Sequence, residues 1–218
     1  MAEAGRDGVV LLHGIMRRAA SMGAIERSLV AEGYRVLNLD YPSRRQSLSG
    51  ITEGLAGPIA DFEAGLAGEL HFVTHSMGGL VARTYLNRFR PARLGRVVML
   101  APPNEGSEIA DLLRKNWFYR GLFGPAGAEL TTTRSEHLVT QLGAVDFPLG
   151  IIAGDRSLYP LASIALPRPH DGRVSVERTR VAGMADHIVL PTSHPLILRH
   201  AEAMAQTRHF LRHGSFRR

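Results

Sequence analysis

The sequence predicts an α/β fold, with a mostly parallel central sheet and helices on both faces. In the first half of the chain, short continuous apolar runs alternate with longer segments in which apolar residues recur every three or four positions. The runs have the length and composition of strands buried on both faces, whereas the longer segments have the spacing of amphipathic helices. Strands that alternate with helices form parallel sheets, because each helix returns the chain across the sheet.

The elements follow one another in a regular order. Apolar runs predict four strands in the first half of the chain, at residues 9–12, 34–39, 70–74 and 97–100. Apolar stripes predict helices between them, at residues 22–30, 51–66 and 77–87. Ser21 is a candidate N-cap of the first helix. The pattern stops over residues 102–147 and then resumes with two strands and a helix, at 149–153, within 181–190, and at 201–211. No linker divides these segments, so one domain spanning residues 1–218 is expected.

Composition excludes several kinds of chemistry. The 218 residues include no cysteine, so thiol nucleophiles, disulfide bonds and thiolate zinc sites are ruled out. Lys115 is the only lysine, and a Schiff-base mechanism would depend on that one amine. Among the common nucleophiles, the composition therefore favours serine.

The net charge of +6 at pH 7 comes almost entirely from arginine. Such an excess of positive charge can bind nucleic acids or anionic membrane surfaces, but only where basic residues form a contiguous patch. The arginines are scattered, with the densest run in the tail at residues 212–218, so we predict a solvated surface and no nucleic-acid site. Arg17 and Arg18 could contact an anionic group, although exposed loop arginines are usually only solvated.

The sequence shows no membrane or export signal. No apolar run approaches the ~20 residues that span a bilayer, and the first residues lack the pattern of a signal peptide. A cytoplasmic protein without a transmembrane segment is therefore expected, or a secreted one if a leader has been removed. Oligomeric state is not predicted.

Ser76 is the strongest candidate for a catalytic residue. It lies between a predicted strand and a predicted helix, within the segment Thr-His-Ser-Met-Gly-Gly at residues 74–79. This segment has the form of a nucleophile elbow, a sharp turn that raises a serine above the end of a parallel sheet. Thr74 stands where the common G-x-S-x-G pattern has its first glycine, and Gly78 supplies the second. The alternative is a serine that only caps the following helix.

The first predicted strand is followed by His-Gly-Ile at residues 13–15. Where a serine nucleophile follows a parallel strand in this way, such a loop donates one backbone N–H to the oxyanion hole, and the residue after the nucleophile donates the other. This assigns the two donors to the amides of Ile15 and Met77. The alternative is an ordinary turn between a strand and a helix.

A serine hydroxyl needs a base to accept its proton and an acid to orient that base. In this architecture the acid and then the histidine follow the serine along the chain. Seven histidines follow Ser76, namely His137, His170, His187, His194, His200, His209 and His213. His194 is favoured because it lies in a loop a few residues past the last predicted strand, whereas His187 lies beside an apolar run that is more typical of a structural histidine.

Two aspartates could orient this histidine. Asp155 comes at the end of the predicted strand at 149–153, and Asp171 lies in a turn within His-Asp-Gly-Arg-Val-Ser at residues 170–175. Ligands of open parallel sheets bind beyond the carboxyl ends of the strands, which suits both positions. Topology alone therefore leaves the two alternatives open.

Together these residues resemble the α/β-hydrolase superfamily, and more narrowly its small bacterial lipases and esterases. The resemblance rests on residues 10–15, 74–79 and 171–175 and on His194 with the apolar residues after it, and it spans most of the chain. In such lipases a D-G-x-V segment carries the triad acid, sometimes after an insertion, so the resemblance favours Asp171 over Asp155. It also implies that neither a cofactor nor a metal is required.

The interruption at residues 102–147 lies where this fold commonly inserts a lid or cap. Aromatic and apolar residues are concentrated there, and four of them are candidates for lining an acyl-chain pocket: Trp117, Phe118, Leu122 and Phe123. The alternative is a helix that packs these side chains on the sheet as part of the core.

The resemblance implies a serine hydrolase that cleaves carboxylic esters through an acyl-enzyme intermediate, with Ser76, His194 and Asp171 as its triad. Its expected partner is a small-molecule ester or a lipid. One alternative is an acyltransferase or thioesterase that uses the same residues. The other is a non-catalytic binding protein of the same fold. The natural substrate and its acyl-chain length are not predicted.

Overall fold

A six-stranded sheet lies at the centre of the computed structural model, which describes residues 7–113, 117–158 and 166–218. Its strands, in chain order, are β1 (Gly8–Leu12), β2 (Arg35–Leu39), β3 (Leu70–His75), β4 (Leu94–Leu100), β5 (Leu149–Gly154) and β6 (Asp186–Leu190). They are arranged in the order β2-β1-β3-β4-β5-β6, and each pair of neighbours is parallel. The six carboxyl ends therefore lie at one edge of the sheet.

Helices cover both faces of this sheet, so the predicted fold class is confirmed. In chain order they are α1 (Gly23–Val30), α2 (Leu48–Ala64), α3 (Met77–Phe89), α4 (Glu108–Leu113), α5 (Trp117–Ala128), α6 (Glu136–Leu142), α7 (Val176–Thr179) and α8 (Ala201–His213). Short 3₁₀ helices occupy Ala19–Met22 and Ile197–Arg199. The α1 and α8 helices pack on one face, and α2 and α3 pack on the other. No helix in the described ranges combines the length and apolarity needed to cross a bilayer.

Alternate residues of each central strand contribute to two separate cores. Along β1, Val9 and Leu11 pack with α1 and α8, whereas Val10 and Leu12 pack with α2 and α3. Every residue of β1, β3 and β5 is buried, but the edge strands β2 and β6 are partly exposed. This burial on both faces explains the continuous apolar runs in the sequence, because a strand between two helical layers has no side that faces solvent.

The structure shifts several predicted boundaries. The β4 strand begins at Leu94 rather than at residue 97, and β6 occupies only the second half of the range 181–190. The prediction of Ser21 as an N-cap is wrong. Ser21 lies within the 3₁₀ helix, its hydroxyl donates to the Arg18 carbonyl oxygen at 2.7 Å, and α1 begins at Gly23. Apolar spacing does not distinguish this short 3₁₀ turn from the start of an α-helix.

Residues 102–147 contain α4, α5 and α6. Gly124 interrupts α5 with a φ of 62°, a conformation that favours glycine, and a side chain there would overlap the Arg44 carbonyl oxygen. Leu130, Leu138 and Leu142 are buried in the core that also contains α3. Part of this segment therefore belongs to the core, and its action as a lid stays a prediction.

The first testable prediction concerns stability at low pH. His187 on β6 lies 2.9 Å from the Thr179 hydroxyl, and burial, reinforced by Arg180, lowers the pKa of His187 to about 4. The unfolded chain takes up this proton near pH 6.5 and the folded chain does not, so stability is lost as pH falls from 6.5 towards 4. Allowing for solvent that reaches the ring, the loss attributable to His187 is about 1 kcal/mol.

Differential scanning calorimetry at a series of pH values checks this expectation. The melting temperature of the wild type should fall between pH 6.5 and 4.5, and the fall should be smaller in His187→Gln. Part of the fall remains in the variant, because burial also lowers the pKa values of His13, His71 and His75. Equal slopes in the two proteins would show that His187 does not contribute.

Candidate active site

The sequence-predicted site residues meet at the carboxyl edge of the sheet. Ile15 follows β1, Ser76 follows β3, and His194 follows β6. Asp171 lies against the end of β5, where a Cβ added to Gly154 would come within 3.1 Å of the Asp171 Cβ. Parallel pairing brings these loops together, because it places all the strand ends on the same side.

Ser76 forms a strained turn between β3 and α3. Its φ of 54° and ψ of −126° lie in a region that non-glycine residues rarely adopt. Backbone hydrogen bonds hold it on both sides: its amide donates to the Leu100 carbonyl oxygen, and its carbonyl oxygen accepts from the Gly79 amide, both at 2.9 Å. The turn has the geometry of a nucleophile elbow, and the Ser76 side chain has no capping hydrogen bond to α3.

Two glycines allow the neighbouring backbone to approach this turn. A side chain on Gly78 would overlap the Leu12 carbonyl oxygen, so the first turn of α3 is packed directly against the end of β1. A Cβ on Gly14 would lie 3.1 Å from the Ser76 Cβ. Thr74 is accommodated in the elbow beside Gly79, where an added Cβ would lie 3.5 Å from the threonine hydroxyl oxygen.

Ser76, His194 and Asp171 form a continuous hydrogen-bonded chain. His194 Nε2 lies 3.0 Å from Ser76 Oγ, and His194 Nδ1 lies 2.6 Å from Asp171 Oδ2. All three side chains are buried, Ser76 being 8% exposed. An ionised carboxylate only accepts hydrogen bonds, so this network assigns the His194 proton to Nδ1 and leaves Nε2 to accept from the serine hydroxyl.

The Asp171 carboxylate is held by its own turn. Its Oδ1 atom accepts from the amides of Arg173 at 2.9 Å and Val174 at 2.8 Å. The Asp171 backbone carbonyl oxygen accepts from the His194 amide at 3.0 Å. The turn therefore fixes both the carboxylate and the loop that carries the histidine.

The alternative candidates have other surroundings. Asp155 lies with its Oδ1 3.4 Å from Arg156 Nε, and its side chain is 30% exposed. His187 contacts the Thr179 hydroxyl on α7. Of the two aspartates and the two histidines, the structure brings together Asp171 and His194.

The amides of Ile15 and Met77 are available as hydrogen-bond donors next to Ser76. Neither donates to another residue of the described ranges. Met77 is the first residue of α3, and the first amides of a helix have no partner within it. The loop that carries Ile15 is held by Tyr41, which stacks on His13 at 4.0 Å and donates its hydroxyl hydrogen to the His13 carbonyl oxygen.

His75 is a site residue to which sequence reasoning assigned no role of its own. It is fully buried, and its Nε2 lies 3.1 Å from the His194 carbonyl oxygen. Burial, with a smaller effect from His194, lowers the pKa of His75 well below its usual range. Neutral His75 can therefore donate from Nε2 to that carbonyl. Its position directly before Ser76 in the sequence places it near the site. Its contact with His194 could not be predicted, because the two residues are far apart in the chain.

The candidates for an acyl-chain pocket are only partly visible. The side chains of Trp117, Phe118 and Leu122 lie outside the described residues, although the backbone of α5 is described. Phe123 is half-buried, and its Cβ lies against Gly127 of the same helix. A Cβ on Gly127 would be 3.6 Å from Ile15 Cδ1, so α5 passes beside the loop that carries Ile15.

The geometry suits acyl transfer to a serine. A hydroxyl bonded to an imidazole, itself oriented by a carboxylate, is the arrangement in which serine becomes a nucleophile. The Ile15 and Met77 amides beside the hydroxyl, which donate to no described residue, can stabilise an oxyanion. Within the described ranges, no three histidine, aspartate or glutamate side chains are grouped as metal ligands.

Solved structures of bacterial and metagenomic enzymes share this fold. The mature lipase BlEst2 of Bacillus licheniformis superposes with a TM-score of 0.79 at 17% identity, over 97% of this chain and 93% of that one. Phospholipase PlaB of Legionella pneumophila gives 0.71 at 20% identity, over 95% of this chain and 58% of that one. The metagenomic carboxyl esterase MGS0156 gives 0.67 at 18% identity, over 90% and 67%. At these identities the likeness is one of fold.

Comparison of sequences places the chain in a family. No curated protein matches it significantly. The model of the Alpha/beta hydrolase family matches residues 9–210, a range that runs from β1 into α8 and includes Ser76, Asp171 and His194. The chain therefore belongs to the alpha/beta hydrolase family.

Proposed function

We propose that this protein is a serine hydrolase that cleaves carboxylic esters through an acyl-enzyme intermediate. The observation that carries the proposal is the hydrogen-bonded chain from Ser76 through His194 to Asp171, with distances of 3.0 and 2.6 Å. The strained backbone at Ser76 and the free amides of Ile15 and Met77 support it, because they are the further parts that the reaction needs.

In the acylation step, Ser76 Oγ attacks the ester carbonyl carbon while His194 Nε2 accepts the hydroxyl proton. The carbonyl oxygen becomes an oxyanion, which the Ile15 and Met77 amides stabilise. When the tetrahedral intermediate collapses, the bond to the alkoxy oxygen breaks and His194 gives the proton to the leaving alcohol. Water then repeats the sequence on the acyl-enzyme, releasing the acid and restoring Ser76.

Asp171 serves the reaction through its effect on His194. It holds the imidazole in the tautomer with the proton on Nδ1 and stabilises the imidazolium that forms in each step. The Arg173 and Val174 amides fix the carboxylate, and His75 supports the opposite side of the loop through the His194 carbonyl. The histidine is thus held from both its side chain and its backbone.

The proposed substrate class follows from the family and the neighbours. The neighbours include a lipase, a phospholipase and a carboxyl esterase. We therefore propose a small-molecule ester or a lipid as the substrate. For the acyl-chain contacts we propose four residues of a segment that acts as a cover: Trp117, Phe118, Leu122 and Phe123.

Replacement of Ser76 tests the nucleophile. Ser76→Ala should lower kcat for a p-nitrophenyl ester by at least about 10⁴-fold, because no other group forms the acyl-enzyme. It should also abolish labelling by a fluorophosphonate probe, read by intact-protein mass spectrometry. Ser215→Ala, which changes an exposed serine in the tail, should retain both the ester hydrolysis and the labelling. Labelling of Ser76→Ala at the wild-type level would contradict the proposal.

Replacement of the two aspartates tests the acid. Asp171→Asn should lower kcat by about 10³- to 10⁴-fold, because the amide can donate to His194 and stabilise the wrong tautomer. Asp155→Asn is the matched control and should leave kcat within about twofold, since Asp155 contacts Arg156 and not the histidine. A large loss in Asp155→Asn with little loss in Asp171→Asn would transfer the role to Asp155.

A methyl group at Gly14 tests the position of the Ile15 amide. The added Cβ would lie 3.1 Å from both Ser76 Cβ and His75 Nδ1, so these neighbours or the loop must move by a few tenths of an ångström. We expect kcat to fall by about tenfold or more, because oxyanion stabilisation depends on donor geometry. Gly57→Ala is the control: it lies in α2 with open space around it and should leave kcat unchanged. An unchanged kcat in Gly14→Ala would contradict the expectation that the reaction depends on the position of this loop.

A further inference from the structure

A cavity lies beside the proposed oxyanion hole. Its volume is about 590 Å³, within the range of small-molecule sites. Its lining comes from two loops, residues 16–18 after β1 and residues 40–45 after β2. The first of these loops begins directly after Ile15, so the cavity adjoins the position where the ester carbonyl would bind.

Arginine dominates the charge of this cavity. Among the described residues that line it are four arginines, Arg17, Arg18, Arg44 and Arg45, and one carboxylate, Asp40. The Asp40 Oδ1 atom accepts from the Ala19 amide at 2.6 Å and lies 3.5 Å from His13 Nε2. The described lining residues thus carry four positive charges and one negative charge, a net charge of +3.

The four guanidinium groups are not neutralised by carboxylates of the described ranges. None lies within 4.0 Å of such a group, whereas arginines elsewhere on the surface are paired, Arg88 with Glu53 and Arg90 with Asp146 at 2.6 Å. The four arginines are exposed, and positive charges that line one cavity attract anions. A guanidinium group can donate two parallel hydrogen bonds to the oxygens of a phosphate.

The two loops are tied to each other and to the active site. The Met16 amide donates to the Ser43 hydroxyl oxygen at 3.2 Å, and Met16 adopts a positive φ of 59°. Ser43 is 5% exposed, and its own hydroxyl hydrogen has no acceptor among the described residues, so it can donate to a bound anion.

The two loops also contact α5 and the active site. The Arg44 backbone packs against Gly124 of α5. The charge of Arg17 also contributes, after burial and His194, to the lowered pKa of His75.

We propose that this arginine-lined cavity binds a phosphate group carried by the ester substrate, so that the enzyme prefers phosphorylated esters over neutral ones. The proposal rests on the proposed function, since it names a class of substrate for the same active site. A phosphate monoester carries nearly two negative charges at neutral pH, which suits a cavity of net charge +3 better than a single carboxylate does.

Substrate selectivity tests this proposal. 1-Butyrylglycerol 3-phosphate and neutral 1-butyrylglycerol share the acyl group and differ by one phosphate. We expect the wild type to hydrolyse the phosphorylated ester with the higher kcat/KM. Arg44→Gln/Arg45→Gln should lower the ratio of the two kcat/KM values by about tenfold or more. The matched control Arg88→Gln/Arg90→Gln removes the same charge elsewhere and should leave the ratio unchanged. Equal ratios in the two double variants would overturn the proposal.

Equilibrium binding separates this proposal from the proposed function. Titration calorimetry of glycerol 3-phosphate with Ser76→Ala needs no turnover and should show binding that Arg44→Gln/Arg45→Gln removes. If neither ester is hydrolysed but this binding is observed, the cavity assignment stands and the hydrolase assignment fails. If both esters are hydrolysed at equal rates and no binding is observed, the hydrolase assignment stands and the cavity assignment fails. If inorganic phosphate binds but the wild type hydrolyses the two esters with equal kcat/KM, the cavity takes a free anion and recognition of a substrate phosphate is overturned.

Discussion

The strained turn at Ser76 is the constraint on which the rest of the site depends. A non-glycine residue holds this conformation only when surrounding structure compensates for its cost, which is of order 1–3 kcal/mol. Here the compensation comes from the Leu100 carbonyl on one strand and from the close packing of Gly78 on the end of β1. The same contacts bring the Ile15 loop against the serine, so the conformation of the proposed nucleophile and the placement of its oxyanion donors have one cause.

The base and the acid depend on a different part of the sheet. Asp171 is distant in sequence from β5 but lies against its end, and its turn supplies two amides to the carboxylate and a carbonyl to the His194 backbone. The turn thus acts as one unit that presents a fixed carboxylate to a fixed imidazole. His75 connects this unit to the elbow, since it precedes Ser76 on β3 and contacts His194. Hydrogen bonds therefore join the ends of β3 and β6 around the Ser76 hydroxyl, and Asp171 packs against the end of β5.

Charge has different consequences in different places on this molecule. Many surface arginines lie beside carboxylates, where exposed pairs add little to stability. The arginines at 17–18 and 44–45 have no such partner among the described residues, and they line one cavity. The total charge of +6 could not distinguish these two situations, because the property that matters is whether unpaired charges converge. Arg17 and Arg44 are separated in the sequence by a helix and a strand, but the loops that carry them line the same cavity.

The sequence by itself determined the parallel α/β architecture and the position of Ser76, because strand burial and the elbow are local patterns of apolar and small residues. It left Asp155 and Asp171 open on topology, missed the contact of His75 with His194, and misassigned the helix start at Ser21. Only the tertiary structure placed Asp171 on the imidazole and brought the arginines of two loops together. Such contacts join residues far apart in the chain, and their geometry is decided by how loops pack at the sheet edge rather than by neighbouring residues in the sequence.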